Sequence, residues 1–226
     1  MARLTSHGDG LWTATQPLSF LGLHIGTRMA VVRLSGGDLY VHSPIALDDA
    51  VRAEVDALGP VRHVVAPNLY HHLHARQWVQ DYPDALVHAP AGLAKKRPDL
   101  RIDRVLDATE PEPSWAGQLD LMNIEGSMLG ETVVVHRASR SLLSCDLIEN
   151  FRTSDHAPTR WYLKVGGIHG KPGLHRLLRL AVRDKRAMRA SLDRLLKHDF
   201  DRMVLAHGDV LERGAKDVLR EAYAFL

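Results

Sequence analysis

Two adjacent imidazoles at His71 and His72, a carboxylate at Asp146 and a further imidazole at His207 could together hold a metal ion. Imidazole and carboxylate are the donors that suit zinc, iron or manganese. Each donor stands just past an apolar run. Val61–Ala66 leads into Pro67-Asn-Leu-Tyr-His-His-Leu-His74, Leu142-Leu-Ser-Cys leads into Asp146, and Met203-Val-Leu-Ala leads into His207. A metal needs its ligands fixed in space, and the rims of neighbouring strands offer such fixed points. His71 and His72 can face one ion only from a loop, because successive side chains of a strand point to opposite faces. Spacing alone leaves a second reading open, in which all four are structural side chains.

Other residues near these positions carry paired readings. Asn68 and His74 share the His71 loop and could orient a ligand or touch substrate, or be solvated loop polars. Asp209 could hydrogen-bond a ligand imidazole, with a helix N-cap as the plainer alternative. Glu131 could face the cleft, with a surface residue at a strand start as the plainer reading. Cys145 reads as a small buried hydrophobe rather than a nucleophile. Gly166-Gly-Ile-His-Gly-Lys-Pro172 looks like a phosphate loop but fails its pattern, since Pro172 stands where a hydroxyl is needed. It is expected to be a flexible cap over a cleft, with His169 or Lys171 in reach of substrate.

The elements that must hold these residues follow from periodicity. Residues 11–47 read as strands, with Met29–Leu34 and Asp38–His42 forming a hairpin across Ser35-Gly-Gly37. Asp48 or Asp49 caps a helix through about Leu58, stopped by Gly59-Pro60. A strand over Val61–Ala66, a helix over Ala75–Tyr82 and a strand over Ala85–Ala89 come next. Residues 90–118 are expected to be surface connections around a short strand near Val105. Strands are expected at Leu119–Ile124, Glu131–His136, Ser141–Ser144 and Phe200–Ala206, and a closing helix at Lys216–Leu226. Residues 172–198 read as helical and basic, with Arg176, Arg179, Arg183, Arg186 and Arg189 on a solvated face.

Composition narrows the class. The chain has 226 residues, 45% hydrophobic and 25% charged, and a formal net charge of +2, too small to argue for nucleic acid. The lone Cys145 excludes an intrachain disulfide and fits a reducing compartment. No apolar secretory segment or membrane span is visible, so a cytoplasmic protein is expected. One domain over residues 1–226 is expected, with oligomeric state left open.

The order of the pieces resembles the metallo-β-lactamase superfamily. Pro67-Asn-Leu-Tyr-His-His72 aligns with its first metal loop, Leu142-Leu-Ser-Cys-Asp146 with its Leu-Leu-x-Gly-Asp strand end, and Val204-Leu-Ala-His-Gly208 with its final His turn. Within the superfamily the chain is similar to an uncharacterised, DUF4336-like branch, in which the Asn-x-x-His-His and His-Gly-x-Pro-Gly segments recur. The resemblance implies an α/β fold, the metallo-β-lactamase-like αββα sandwich. It also implies His71, His72, Asp146 and His207 as metal ligands, with His42 where the superfamily often has an aspartate that buttresses the metal loop.

The departures imply one ion rather than two. Pro67, Leu69 and Ser127 stand where the other ion's histidines would be, and proline and leucine cannot ligate. The expected cofactor is one divalent transition metal, zinc first, with iron or manganese as alternatives. The implied activity is a mononuclear hydrolase acting on a small-molecule ester, lactone, thioester or phosphoester. In it a metal-bound hydroxide attacks and Asp146 serves as both ligand and proton acceptor. The alternative is a non-catalytic binding or sensing protein whose metal site is structural or decayed. Four protein ligands would close a tetrahedral zinc shell, which favours the structural role.

Overall fold

Met29, Ala30, Val31 and Val32 are buried to a man, yet they serve two different cores. Met29 and Val31 face one cluster, Ala30 and Val32 another, as the two-residue period of a strand demands. The same split recurs in the strand Thr132–His136, where Val133 and Val135 part from Val134. Both sheets are therefore covered on both faces. The computed structural model describes residues 3–106 and 112–226.

The larger sheet orders its strands as Thr5–Gly8, Leu11–Gln16, Thr27–Arg33, Leu39–His42, Val61–Val65, Leu86–Ala89 and Arg104–Val105. Pairing is antiparallel up to Leu39–His42 and parallel beyond it. Helices Asp49–Asp56 and Ala75–Asp81 make the crossovers between parallel strands, and Ala91–Lys96 follows Leu86–Ala89. Their Val51, Val55, Trp78 and Leu93 close the core on the outer face of this sheet. Asp48 caps the first helix as expected, accepting from Val51 N at 2.8 Å.

The second sheet joins Leu119–Asn123, Thr132–His136, Ser141–Leu143 and Arg202–Val204, the last pair parallel. Helices Lys185–Leu195 and Ala215–Ala222 cover its outer face through Met188, Leu192, Leu195 and Leu219. Between the sheets lies a third core, in which Leu11, Val32, Tyr40 and Val65 meet Leu119, Val134, Leu143 and Val204. The layers run helix, sheet, sheet, helix, the sandwich that the resemblance implied.

Three expectations are corrected. Residues 172–198 are not one basic helix: Pro172–Gly173 pairs as a short strand with Glu149–Asn150, Leu178–Ala181 is a single 3-10 turn, and only Lys185–Leu195 is helical. Pro172 lacks the N–H that a helix interior needs, and Asp184 restarts the chain as an N-cap, accepting from Arg186 N and Ala187 N. Of the five arginines, only Arg186 and Arg189 lie on that helix. A helix at Ala157–Gly166, with Pro in its first turn, was not anticipated. Residues 90–118 hold the helix Ala91–Lys96 and the 3-10 turn Pro113–Trp115 besides the strand Arg104–Val105. Residues 107–111 of that stretch, and residues 1–2, lie outside the described residues.

Candidate metal centre

Two parallel strand pairs, one in each sheet, direct their C-terminal ends to one rim. Ser43 follows Leu39–His42, the 66–74 loop follows Val61–Val65, Asp146 follows Ser141–Leu143, and His207 follows Arg202–Val204. Loops leaving such ends are where a rigid scaffold presents chemistry.

There His71, Asp146 and His207 converge, each offering a ligand atom within 4.8 Å of the others. Asp146 Oδ1 lies 3.4 Å from His71 Nε2 and 3.6 Å from His207 Nε2. The remaining ring nitrogens are tied back. His207 Nδ1 donates to the Gly26 carbonyl at 2.9 Å, and His71 Nδ1 lies 3.0 Å from Ser43 Oγ. Holding one nitrogen of a ring fixes the tautomer and aim of the other, as metal-binding histidines require. Among the described residues, no other group of three His, Cys, Asp or Glu side chains is so arranged.

His72 stands outside this group, against the four-residue expectation. Its ring is buried, and its Nδ1 accepts from Arg97 Nη1 at 2.8 Å. Burial and the neighbouring Arg97 and Lys96 charges lower its pKa. The adjacency that suggested two ligands instead sends one imidazole to the candidate metal cluster and the other to a helix-end arginine.

Asn68 is fully buried and commits all its polarity to the cluster. Its Nδ2 donates to Asp146 Oδ2 at 2.7 Å, while its Oδ1 accepts from Tyr70 N and His71 N, both at 2.8 Å. The turn that presents His71 and the carboxylate that faces it thus share one side chain. Glu131 is buried rather than on the surface. Its carboxylate accepts from Ser144 Oγ at 2.7 Å, Cys145 N at 2.6 Å and Asp146 N at 3.0 Å, fixing the turn that carries Asp146.

The electrostatics separate three carboxyls. Burial acts to raise the Asp146 pKa, but the His71 charge and hydrogen bonds from His207 and His71 outweigh it and hold the group well below the usual range. Burial, then the Asp146 charge, pushes Glu131 upward. Glu149 is 4% exposed, its Oε2 has no hydrogen-bond partner, and burial pushes its pKa up to about 7 against the pull of His207. Glu149 lines the same cavity as the three ligand candidates. Sequence reading passed over it, because a buried acid in a two-residue strand leaves no periodic trace.

The remaining expected residues fall away from the ligand atoms. His42 is buried behind them, its Nε2 3.9 Å from Cys145 Sγ and its Nδ1 3.4 Å from Tyr40 Oη, so it packs under the Asp146 turn without touching a ligand. Burial, then the His71 charge, lowers its pKa to about 3. Cys145 is buried, and burial with the Glu131 and Asp146 charges raises its pKa, which suits a structural thiol. Asp209 does not meet His207: it pairs with Arg152 at 3.5 Å, and Gly26 takes the place expected of it. His169 bridges to Phe151, and neither it nor Lys171 lines the cavity. His74 does line it. At the expected site of a second ion, Leu69 packs on the core and Ser127 Oγ accepts from Leu129 N at 3.2 Å.

Residues 8–161 match the family described as "Domain of unknown function (DUF4336)". No curated protein matches the chain. Solved metallo-β-lactamases share its fold. A DIM-1 enzyme exposed to ceftazidime superposes with a TM-score of 0.69 at 13% identity, over 99% of this chain and 95% of that one. An enzyme from Pontibacter korlensis gives 0.67 at 14%, over 99% and 98%. FIM-1 from Pseudomonas aeruginosa, in its mono-zinc form, gives 0.67 at 13%, over 99% and 95%.

Proposed function

This chain belongs to the DUF4336 family and has a metallo-β-lactamase-like α/β fold, and from that premise we propose that it is a mononuclear metal-dependent hydrolase of an ester, lactone, thioester or phosphoester. The observation that carries the reading is the convergence of His71 Nε2, His207 Nε2 and Asp146 Oδ1 while both distal ring nitrogens are held. Two imidazoles and a carboxylate fit a zinc-type ion, and three protein ligands leave a coordination position open, the mark of a catalytic site. The four-ligand set expected from sequence would have closed that position. The mono-zinc form of FIM-1 offers a precedent within the fold.

A divalent ion held by His71, Asp146 and His207 would polarise a carbonyl or phosphoryl oxygen and make water acidic near neutral pH. The chain's own groups do the rest. With Oδ1 committed to the ion and Oδ2 held by Asn68, Asp146 would stay ionised and orient rather than exchange protons. That departs from the sequence expectation, which gave Asp146 the proton as well. Glu149 takes that role: it lines the same cavity, its Oε2 has no hydrogen-bond partner and burial raises its pKa, so the carboxylate can accept a proton from water and return it to the leaving group. Atoms of the apolar lining exclude bulk water from the exchange.

A panel of aryl esters, lactones, thioesters and phosphodiesters assayed with zinc, manganese and iron tests the reading. Turnover that disappears in Asp146→Ala and His207→Ala is the expected result. Silence across the panel with a fully metallated protein overturns it.

A further inference from the structure

Ten large apolar side chains are exposed among the described residues, and six of them line one opening: Phe20, Tyr70, Leu73, Met128, Leu177 and Leu180. Surface apolar residues are ordinarily scattered, and their concentration at a cleft marks a binding site. The cleft holds about 680 Å³, within the range of small-molecule pockets. Its walls continue inward through Leu18, Leu23 and Ile25 to His71, Asp146, His207 and Glu149. The segments that supply the walls are distant in sequence: the hairpin Ser19–Phe20/Leu23–His24, the 66–74 loop, and the turn around Leu178–Ala181 that interrupts the expected basic helix.

Two cations line the cleft: Lys96 is already engaged, donating to the Leu69 carbonyl and lying 4.3 Å above the Tyr70 ring, and Arg183 Nη2 lies 3.7 Å from Met128 Sδ. A polar or sugar-like ligand would therefore lose its hydration against walls with few partners to replace it. A flexible hydrocarbon loses nothing there, and each methylene it buries strengthens binding about three- to fourfold.

We propose that the cavity binds an unbranched fatty-acyl chain of medium to long length, with its carbonyl end at His71, Asp146, His207 and Glu149. Under the hydrolase reading, on which only the reaction depends, the substrate is an ester or thioester of that chain. Water adds to the acyl carbon, the bond to the leaving oxygen or sulfur breaks, and the proton passes to the leaving alcohol or thiol, releasing the fatty acid.

Calorimetric titration with sodium butyrate, hexanoate, octanoate and decanoate, below their micellar concentrations, tests the chain site without any turnover. It is run on the protein as purified and again after chelation. The expected Kd falls about threefold per methylene in both forms. A Kd that does not depend on chain length, or no binding of decanoate, overturns the proposal. Leu177→Asp with Leu180→Asp, at positions 58% and 69% exposed and so replaceable without unfolding, should raise the decanoate Kd at least tenfold. An unchanged Kd overturns it as well. A parallel series of 4-nitrophenyl esters separates the two readings. Short esters turned over with no gain on lengthening contradict the acyl-chain site while the hydrolase stands. Length-dependent carboxylate binding with no ester hydrolysed upholds the acyl-chain site and removes the hydrolase.

Discussion

Asn68 holds the two halves of the candidate metal cluster together, because its amide faces Asp146 and its carbonyl oxygen holds the His71 turn. Removing a group that orients metal ligands ordinarily costs ten- to a hundredfold in affinity. Asn68→Ala should therefore weaken metal binding by about that factor in competition with a chelating dye, and unchanged affinity would reduce Asn68 to a loop residue. Glu149→Gln should keep the metal but lose about 10²–10⁴-fold in kcat. Burial raises the Glu149 pKa above the usual carboxylate range, so the wild-type rate should rise with pH as that carboxylate forms, on a limb separate from that of metal-held water, and the variant should lose the carboxylate's limb. A variant that retains both rate and limb would assign the proton transfer elsewhere. At this scale the sequence showed donor types but not aim. His71 and His72 are indistinguishable as letters, and only Arg97, 25 residues from His72, pulls the second ring away. Ser43 and Glu149 were hidden, and Glu131 was read first as a surface residue, because what qualifies them is burial beside a distant strand end.

Strand ends fix the site, and one close approach between them tolerates no side chain. Gly208 follows His207 at φ 84°, and a Cβ there would run into the Asn150 backbone. Gly208→Ala therefore meets both a left-handed backbone and a clash, and should destabilise the fold by about 2 kcal/mol or more in urea unfolding. Metal affinity should fall with it, since His207 and Asn150 are joined by a backbone hydrogen bond of 3.3 Å. A fully stable, fully metallated variant would contradict that packing. The elements themselves were readable where one rule dominated. A continuous apolar run before the Ser35-Gly-Gly37 turn marked Met29–Leu34, and Asp48 with Gly59-Pro60 bracketed a helix. Leucines at helical spacing misled over 172–184, because Leu177, Leu178 and Leu180 serve the cavity rather than a helix face.

Across the whole molecule, buried histidines tie stability to pH. Burial, with the neighbouring His63 charge, lowers the His88 pKa to about 3, against about 6.5 in the unfolded chain. His88 is neutral in the fold, with Nε2 3.1 Å from His63 Nδ1, and the unfolded state binds the extra proton between those values. Its contribution is therefore complete above pH 6.5 and declines as pH falls, by up to about 1.4 kcal/mol per unit. Glu149 acts in the opposite sense: its raised pKa favours the fold below about 4.5 and costs stability as pH rises through about 7. Urea midpoints measured from pH 7 to pH 4 should fall, and His88→Gln should flatten the slope by roughly one histidine's share. An unchanged slope would clear His88. The layered sandwich was legible because both sheets advertise themselves through β-branched runs and the parallel crossovers through capped helices. The rim that carries the candidate site was legible only as an order of motifs. The account rests on one ion held by three residues, and metal analysis of purified wild type and single variants tests that most directly. It predicts one equivalent of a transition metal in wild type and in His72→Ala, and loss of the ion in His71→Ala and His207→Ala. Less than about 0.2 equivalents in wild type after reconstitution, or an ion that survives both losses, would contradict it.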